Sequence, residues 1–525
     1  MNHTRRLPAF SGTALWLPLA VVLLAAALRL FGLGAQSYWV DEITMLQVTA
    51  GDWTGVLREF ELSAGKLIGR PPLYTLLGYG WTQVFGTNAV TVRLLSALAS
   101  IVSTALLYRI GRDLFGRTVG LVGALLMAVS MYQLHYAQEH RYYGVLLLVT
   151  LSCITFYLRA VKTGRRRDFV LFAIFGIVIF YAHPLGMFVL VAPGLHFLLC
   201  HWRKDRALRV PWVVSQVVIL IGAGAWLVVQ YLSQFGAGGD AETALAVPTE
   251  WIPIPPLRAP LRTALNFLVL DHELYFGLVS VVVAALVLVA GTVIYGLWRR
   301  RTYAAGLRQA GGDLAALWRE RRSGLILAGL WLVVPLVMFF GAARFGQPIY
   351  LDRYMIGVSP ALYLWIGVAA LALRRIVPVA VLLLAILVPV LAPLPLYYTG
   401  ATGEQWREAA AYVEAHAAPQ DALAFGADIG RLGDIITARD SFAWYYPGDV
   451  STCYVSADQE SDRIAGELAA CATPPGHLWY VVRNYDQARM DAWRAFLADS
   501  PAGGLHFIGM QTFTGITVYE LDVPQ

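Results

Sequence analysis

Two adjacent carboxylates, Asp41 and Glu42, follow the first long apolar stretch of this sequence. Polar and charged side chains recur near the ends of later apolar stretches, at Lys66 and Arg70, in the segment 135–143, at His183 and in the segment 352–354. A carboxylate can remove the proton of a hydroxyl group, and guanidinium groups grip phosphate oxygens bidentately. The residue types therefore indicate chemistry that combines a general base with an anion site.

The composition indicates that these groups belong to a membrane protein. The chain has 525 residues, of which 58% are apolar and 14% are charged, whereas soluble proteins carry about 25% charged residues. The formal net charge of +6 would also suit a nucleic-acid-binding protein. The basic residues, however, are placed as in the cytoplasmic loops of membrane proteins, so we expect a lipid bilayer as partner and no nucleic acid.

Apolar runs of about 20 residues predict the elements that must position the charged groups. We expect eleven transmembrane helices, near residues 14–34, 90–108, 118–134, 142–160, 168–182, 184–200, 211–231, 276–298, 323–341, 354–373 and 376–396. The shorter, aromatic-rich run 71–85 begins with two prolines and is more typical of an interfacial helix.

The distribution of Lys and Arg predicts the orientation of the chain. If Arg5 and Arg6 hold the N-terminus inside, the basic clusters 165–167, 203–209 and 299–322 all fall in inside loops, as the positive-inside rule requires. We treat the first apolar stretch as a retained helix, because it is long and lacks a convincing cleavage site. These observations predict a multi-pass protein of the cell or inner membrane with a cytoplasmic N-terminus, and they place every polar cluster named above on the exterior face.

The composition changes after Leu396, and the mixed pattern that follows is typical of a folded soluble domain. We expect a helix over 405–416, a buried strand over 477–482, a second helix over about 485–498 and two strands over 505–521. The predicted fold is thus a polytopic α-helical membrane domain, residues 1–399 with an exterior loop at 35–90, and a small exterior or periplasmic α/β domain, residues 400–525. Cys453 and Cys471 fall in that domain, where the sequence allows either a disulfide or two unpaired thiols.

One reaction uses carboxylates and cations together at a lipid surface. A sugar joined through phosphate to a prenyl chain presents its phosphate at the interface and its anomeric carbon to an exterior cavity. Transfer of that sugar to a hydroxyl needs a base, for which Asp41 is the candidate. The departing lipid phosphate gains negative charge, which fixed cations stabilise; Arg353, Arg70 and Lys66 suit that role.

Several motifs resemble the GT-C glycosyltransferases of the protein O-mannosyltransferase and aminoarabinose transferase superfamily. The resemblance covers about residues 30–200 well and 340–400 loosely, and it rests on Trp39-Val-Asp-Glu42, Arg70-Pro-Pro-Leu-Tyr74, Val92-Arg-Leu-Leu-Ser96, Gly111-Arg-Asp-Leu-Phe-Gly116, Tyr136-Ala-Gln-Glu-His-Arg-Tyr-Tyr143 and Asp352-Arg-Tyr-Met355. It implies an integral-membrane enzyme of the GT-C fold that takes a sugar from a polyprenyl monophosphate donor and inverts the anomeric carbon. The acceptor would be a hydroxyl of an envelope glycan, lipid or protein.

The resemblance also implies roles for individual residues. Asp41, Glu42 and Glu139 would be catalytic, with Asp41 as the base. The donor phosphate would contact Arg70, Arg141 and Arg353, and the substrate pocket would include Gln138, Tyr143 and Tyr354. Apart from the resemblance, residue type and position make Lys66 and His183 candidates for contact with the phosphate and Trp39 a candidate for the sugar pocket. No cofactor is certain: some relatives bind a divalent cation near such acids, so whether Asp41, Glu42 and Glu139 hold a metal stays open. The protein mannosyltransferases usually carry Asp-Pro where this chain has Ala137-Gln-Glu139, which argues against mannose and a protein acceptor.

Simpler interpretations exist for most of these residues. Asp41 and Glu42 could lie in a solvated loop, Glu139 could be the structural partner of Arg141 or His140, Lys66 could be a snorkelling interfacial residue, and His183 could satisfy freed backbone groups. A transporter or flippase of a polyprenyl-linked sugar or another lipid is the alternative function. A transporter would, however, carry ionisable groups near the centres of its spans, where this sequence has few. A nucleotide-sugar donor is disfavoured, because neither a Walker motif nor a dinucleotide-binding Gly pattern is present.

Overall fold

The computed structural model shows a mostly helical protein with one small mixed sheet near its C-terminus. It describes residues 16–63, 72–236, 252–270, 302–373, 384, 386–419, 421–427, 432–449, 453–455, 461–472, 476–483, 491–496 and 504–523. Lys66, Arg70 and the predicted span 276–298 lie outside the described residues, as do most of the span 376–396 before residue 386 and part of the predicted helix 485–498.

Two compact units share the chain. The first comprises Met1–Phe31, Asp52–Gly86 and Thr91–Pro395, and the second comprises Gly32–Gly51, Thr87–Val90 and Leu396–Gln525. The predicted division into a membrane domain and an exterior domain at residue 400 stays a prediction.

The helices of the first half of the chain are α1 (Trp16–Leu30), α2 (Val40–Thr49), α3 (Trp53–Ser63), α4 (Pro72–Phe85), α5 (Ala89–Phe115), α6 (Arg117–Val129), α7 (Met131–Ala137), α8 (Tyr143–Thr163), α9 (Arg166–Ala182), α10 (Val191–Cys200) and α11 (Arg206–Gly236). The second half contains α12 (Ala259–Asn266), α13 (Thr302–Phe345), α14 (Ser359–Leu373), α15 (Leu394–Thr399), α16 (Trp406–His416), α17 (Leu432–Ala443) and α18 (Ser461–Cys471). Two 3₁₀ segments, Pro184–Leu190 and Asp352–Met355, interrupt the series.

Four of the described helical stretches are long and apolar enough to cross a membrane, namely 89–115, 143–163, 206–225 and 321–345. The bent pair α6 and α7 would make a fifth if it forms one span. The expected number of eleven spans is therefore not confirmed. Several predicted spans are occupied by shorter apolar helices, such as α1 and α14, which fall below the length that a straight crossing of the hydrocarbon core requires.

A buried arginine fixes α1 within the first unit. Arg29 is fully buried, and its guanidinium donates hydrogen bonds of 2.9 Å to the carbonyls of Met127 and Ala128. Its Nε donates to the hydroxyl of Ser100 at 2.8 Å. Met127 and Ala128 belong to the last turn of α6, whose carbonyl groups have no intrahelical donors. Arg29 therefore caps the C-terminus of α6 and places a cation where the helix dipole is favourable.

The second unit is built on a five-stranded sheet. Its strands are β1 (Ala422–Ala427), β2 (Cys453–Tyr454), β3 (Gly476–Arg483), β4 (His506–Phe513) and β5 (Ile516–Val523), in the order β2-β1-β3-β5-β4. The strands β2, β1 and β3 are parallel, whereas β5 is antiparallel to both β3 and β4. The predicted helix at 405–416, the strand at 477–482 and the strand pair at 505–521 correspond to α16, β3 and the hairpin of β4 and β5.

Cys453 of β2 and Cys471 of α18 form a disulfide, with 5.9 Å between their Cα atoms. The sequence allowed either a disulfide or two unpaired thiols, and the structure contains the disulfide. The bond joins the edge of the sheet to the helix beside it.

A partly buried hydrogen-bond cluster joins the start of β1 to β3. The carboxylate of Asp421 accepts from the Trp479 indole N–H at 3.0 Å and from the backbone N–H groups of Ala418 and His477. Burial alone would raise the pKa of Asp421, but these donors outweigh it and lower that pKa below its ordinary value. The ionised carboxylate therefore stabilises the folded second unit.

Replacing Asp421 by Asn is expected to destabilise the second unit by about 1–2 kcal/mol at neutral pH, because charge-assisted hydrogen bonds are lost. The folded pKa lies below the unfolded value of about 3.9, so this stabilisation is present above that pH and is lost as pH falls through the folded pKa. Hydrogen exchange of the β3 peptide, compared between the two proteins at each pH, measures the effect. A difference that does not shrink below about pH 4 would contradict the assignment.

Candidate functional site

The helix break between α6 and α7 creates the first part of the site. The two helices meet at 59°, and Ser130 stands between them. Its hydroxyl accepts from the Gln133 N–H at the start of α7 and donates to the Phe267 carbonyl at 2.8 Å. The Tyr363 hydroxyl also contacts Oγ of Ser130. Polar partners thus satisfy the groups that the break sets free, as a break in an apolar helix requires.

After α7 the chain runs through a short non-helical segment, residues 138–142, before α8 begins. The Glu139 side chain is buried, and its Oε1 lies 3.1 Å from Nε2 of His135. Its other carboxylate oxygen is buried with no hydrogen-bond partner among the described residues. The structural partner of Glu139 is therefore His135, rather than the His140 or Arg141 that the simpler interpretation of the sequence named.

Gln138 caps the end of α1. Its side-chain amide donates to the carbonyls of Arg29 and Phe31 at 3.0 and 2.9 Å, and to that of Leu28 at 3.4 Å. Arg29 caps α6 in return, so α1 and the segment around α7 hold each other by reciprocal capping. The position of Gln138 in a substrate pocket stays a prediction, while the observed contacts give it a positioning role.

His183 occupies the centre of an aromatic stack. It lies between α9 and the 3₁₀ segment that begins at Pro184, and its ring faces Tyr142 on one side and Tyr354 on the other, with centroid distances of 4.9 and 4.6 Å. His183 is fully buried, and neither ring nitrogen has a hydrogen-bond partner in the described part of the chain. The aromatic residue Tyr142 is a member of the site that the sequence analysis did not single out.

Two guanidinium groups flank this stack. Arg141 lies over the ring of Tyr142 at 5.3 Å, and Arg353 lies over the ring of Tyr354 at 5.8 Å, within the range of cation–π contacts. Burial, together with the positive charges of Arg141 and Arg353, lowers the pKa of His183 to about 3. The imidazole is therefore neutral at physiological pH, and the local charge comes from the two arginines.

Arg353 is presented by a tethered segment. Asp352, its neighbour, accepts hydrogen bonds from the Thr263 hydroxyl and the Asn266 amide of α12, each 2.5 Å long. The backbone carbonyl of Asp352 accepts from the hydroxyl of Tyr132 in α7 at 2.6 Å. Two separate segments of the first unit, α12 and α7, thus converge on the residue before Arg353.

A tyrosine extends this tether by one further hydrogen bond. The hydroxyl oxygens of Tyr350 and Thr263 lie 2.9 Å apart. Because the single hydroxyl proton of Thr263 is given to Asp352, Tyr350 donates in this pair. Burial raises the pKa of Tyr350 to about 12, which keeps that hydroxyl protonated. Neither Thr263 nor Asn266 was predicted, since no sequence motif marks a loop helix as the partner of a carboxylate about 90 residues later.

The second unit holds the remaining predicted residues. Asp41 and Glu42 lie in the first turn of α2, where carboxylates are favoured by the helix dipole. Glu42 is buried and Asp41 is half-buried. The simpler interpretation, in which this pair lies in a solvated loop, is wrong, because both residues are helical. Trp39, also half-buried, is the residue that precedes the helix.

The predicted site residues that the structure describes fall into two groups, one in each unit. The first unit brings together Arg141, His183, Arg353 and Tyr354, and Tyr143 joins them through ring contacts with Tyr142 and Tyr136. Tyr136 also lies within electrostatic range of Glu139 and Arg353. Within the described ranges there is no group of three or more His, Cys, Asp or Glu side chains that could hold a metal ion. The first unit thus groups two guanidinium cations and a neutral imidazole with aromatic rings, and guanidinium groups are residue types that bind anions.

Comparison with known proteins agrees with this architecture. Residues 69–228 match the family model described as dolichyl-phosphate-mannose-protein mannosyltransferase. The crystal structure of ArnT from Cupriavidus metallidurans in the apo state aligns with 97% of this chain and 98% of its own, at 14% identity and a TM-score of 0.53. The chain has the GT-C fold.

Two further solved structures are similar to this chain. ArnT from Cupriavidus metallidurans bound to undecaprenyl phosphate has 14% identity and a TM-score of 0.52, with 97% and 98% of the two chains covered. The oligosaccharyltransferase of Archaeoglobus fulgidus in complex with Zn and sulfate has 12% identity and a TM-score of 0.48, with 97% of this chain and 73% of that chain covered. No curated protein sequence matches significantly.

The resemblance to membrane glycosyltransferases that the motifs predicted is confirmed. The family match covers the motifs from Arg70 to Tyr143, whereas Asp41 and Arg353 fall outside it. The described helices that are long and apolar enough to cross a membrane agree with the membrane localisation that the composition predicts.

The tether at Asp352 gives a prediction for the first unit. Replacing Asp352 by Ala leaves the Thr263 hydroxyl and the Asn266 amide without their acceptor, and we expect a local loss of about 1–3 kcal/mol. Hydrogen exchange of peptides covering α12 should accelerate. The matched control is Asp113→Ala, which removes an exposed carboxylate that pairs with Arg109 and Arg112 and contributes little. Equal exchange in both variants would contradict the tether.

Proposed function

We propose that this protein transfers a single sugar from a polyprenyl monophosphate donor to a hydroxyl of a cell-envelope acceptor, on the exterior face of the inner membrane, with inversion of the anomeric carbon. The observation that carries the proposal is the buried imidazole of His183, which lies near the cations Arg141 and Arg353 and whose ring nitrogens have no hydrogen-bond partner in the part of the chain that the structure describes. The acceptor is a glycan, a lipid or a protein.

The chemistry of the anion site supports a lipid phosphate as its ligand. Guanidinium groups form charge-assisted hydrogen bonds with phosphate oxygens, and one phosphate can accept hydrogen bonds from two guanidinium groups and an imidazole N–H at once. The aromatic rings of Tyr142 and Tyr354 give the site apolar walls, which suit the first carbons of a prenyl chain. A match of the same fold, ArnT, has been solved with undecaprenyl phosphate bound, and this supports the same donor class here.

In the proposed reaction, the acceptor hydroxyl oxygen attacks the anomeric carbon from the face opposite the phosphate. The bond between that carbon and the phosphate oxygen breaks, and its electron pair goes to the phosphate. The hydroxyl proton goes to the Asp41 carboxylate, which acts as general base. Arg141 and Arg353 stabilise the charge that develops on the leaving phosphate. Lys66 and Arg70 are proposed to contact the same phosphate, and Glu42 and Glu139 are proposed to orient the acceptor.

Substitution of Arg353 tests the proposed binding site for the donor phosphate. Replacing Arg353 by Ala removes a bidentate cation, so we expect the affinity for undecaprenyl phosphate to fall by about tenfold or more. The matched control is Arg344→Ala, an exposed arginine at the end of α13. Binding is measured on purified protein in lipid nanodiscs, and mass spectrometry identifies the prenyl lipids that co-purify with each variant. Unchanged affinity in Arg353→Ala would remove this residue from the phosphate site.

Substitution of Asp41 tests its proposed role as general base in the transfer step. We expect Asp41→Asn to abolish sugar transfer while donor binding stays near the level of the unchanged protein, because the amide cannot accept the hydroxyl proton. The control is Asp52→Asn, which alters an exposed aspartate that caps the start of α3 through Thr54 and Gly55. Transfer is followed in proteoliposomes with the identified donor. Normal turnover by Asp41→Asn would exclude Asp41 as the base, and movement of the intact lipid-linked sugar without transfer would favour a flippase.

A further inference from the structure

The helix that carries Asp41 begins without a cap of its own. The residue before α2 is Trp39, an extended residue whose side chain makes no capping hydrogen bond. The first N–H groups of any helix have no intrahelical acceptor, and Ser, Thr, Asp or Asn usually supplies one. Here the acceptor comes from far along the chain: the N–H of Val40 donates to Oε2 of Glu404 at 3.1 Å.

Glu404 is itself held on both carboxylate oxygens. Its Oε2 also accepts from the indole N–H of Trp406 at 2.8 Å, and its Oε1 accepts from Nε of Arg483 at 2.7 Å. Arg483 is the last residue of β3, and the two paired side chains are only 10% and 11% exposed. The carboxylate is therefore a fixed bridge from the central sheet of the second unit to the N-terminus of α2.

The backbone around Glu404 is fixed by the hairpin of β4 and β5. Gln405 and Thr514 exchange two hydrogen bonds, from the Gln405 N–H to the Thr514 carbonyl and from the Thr514 N–H to the Gln405 side chain. The next residue, Gly515, has a φ of +72° and brings the turn so close that a Cβ there would lie 3.0 Å from Cγ of Glu404. A side chain at this turn position would push Glu404 away from α2.

The segment before α2 is anchored to the same unit. The Gln36 amide donates to the carbonyl of Gly400 at 2.8 Å, and Arg407 donates to the carbonyl of Ala35 at 2.7 Å. The N–H of Tyr38 donates to the Tyr445 hydroxyl at 2.8 Å, and the two rings stack at 6.1 Å. These contacts fix the path of the chain into α2, whereas Glu404 accepts a hydrogen bond from the first residue of the helix, Val40.

We infer that Glu404, fixed by Arg483, is a positioning residue that sets the orientation of α2 and thereby of Asp41. The inference rests on the proposed role of Asp41 as general base. A carboxylate at a helix N-terminus is favoured by the helix dipole, and its charge compensates the buried guanidinium of Arg483. The C-terminal part of the chain thus contributes to the chemical step without contacting the reacting atoms.

The decisive variant is Glu404→Gln. The amide keeps the size of the side chain but can present only one oxygen, and its NH₂ group then faces either the N–H of Val40 or that of Arg483. We expect kcat to fall about ten- to a hundredfold, because small displacements of a catalytic group have effects of this size. The KM for the lipid-linked donor should change less than about twofold, since the donor phosphate site is unaltered.

Two carboxylates of the same unit serve as controls. Glu467→Gln removes an exposed ion pair with Arg463 on α18, and Asp421→Asn removes a hydrogen-bonded carboxylate that holds β1 to β3. Both lie outside the hydrogen bonds that Glu404 forms with Val40, Trp406 and Arg483, so both should retain kcat within about twofold. A loss of kcat in Asp421→Asn equal to that in Glu404→Gln would show a general effect of destabilising the unit, and it would overturn the positioning role.

A second readout is independent of the reaction. Hydrogen exchange of the peptide 38–49 in the full-length protein should accelerate at least about fivefold in Glu404→Gln, because a buried charge-assisted hydrogen bond to the helix is lost, and it should not change in Glu467→Gln. Unchanged exchange in Glu404→Gln would overturn the inference. If Asp41→Asn retains transfer, the proposed base fails on that result alone, while the exchange measurement still decides whether Glu404 holds α2.

Discussion

The structure of the first unit depends on how it holds two guanidinium cations beside aromatic rings. Arg141 lies over the ring of Tyr142 and Arg353 lies over the ring of Tyr354, and both rings contact His183, an imidazole that burial keeps neutral. Cation–π contacts of this kind are favourable and help to fix the position of the charge. The backbone beside Arg353 is fixed in turn by the hydrogen bonds that hold Asp352.

Irregular backbone is the means by which the fold brings these groups together. A continuous helix hides its N–H and C=O groups, so polar side chains enter an apolar bundle where helices break. The break at Ser130, the extended residue His183 and the 3₁₀ turn at Asp352 are three such points. Each is contacted by side chains from elsewhere in the chain, namely Tyr363 at Ser130, Tyr142 and Tyr354 at His183, and Tyr132, Thr263 and Asn266 at Asp352.

Much of the site chemistry could be predicted from local sequence. Segments such as Tyr136–Tyr143 and Asp352–Tyr354 concentrate ionisable groups where an apolar run ends, and that pattern is visible without coordinates. The number of spans was harder to predict, because hydropathy does not separate one straight helix from two short helices that meet at an angle, as α6 and α7 do. The partners of Asp352 and the association of residues 32–51 with the C-terminal unit involve contacts across 90 to 370 positions, and no periodicity in a single sequence encodes such pairs.

The membership of residues 32–51 in the second unit has a consequence for biosynthesis. This segment leaves the ribosome early, whereas the sheet and the residues that hold it, from Leu396 onward, are made last. At roughly 5–20 residues per second, the early segment waits on the order of tens of seconds for its partners. The predicted membrane spans are therefore synthesised before α2 can contact the residues from Leu396 onward. In an unfinished polypeptide, the contacts that orient α2 and Asp41 are not yet formed.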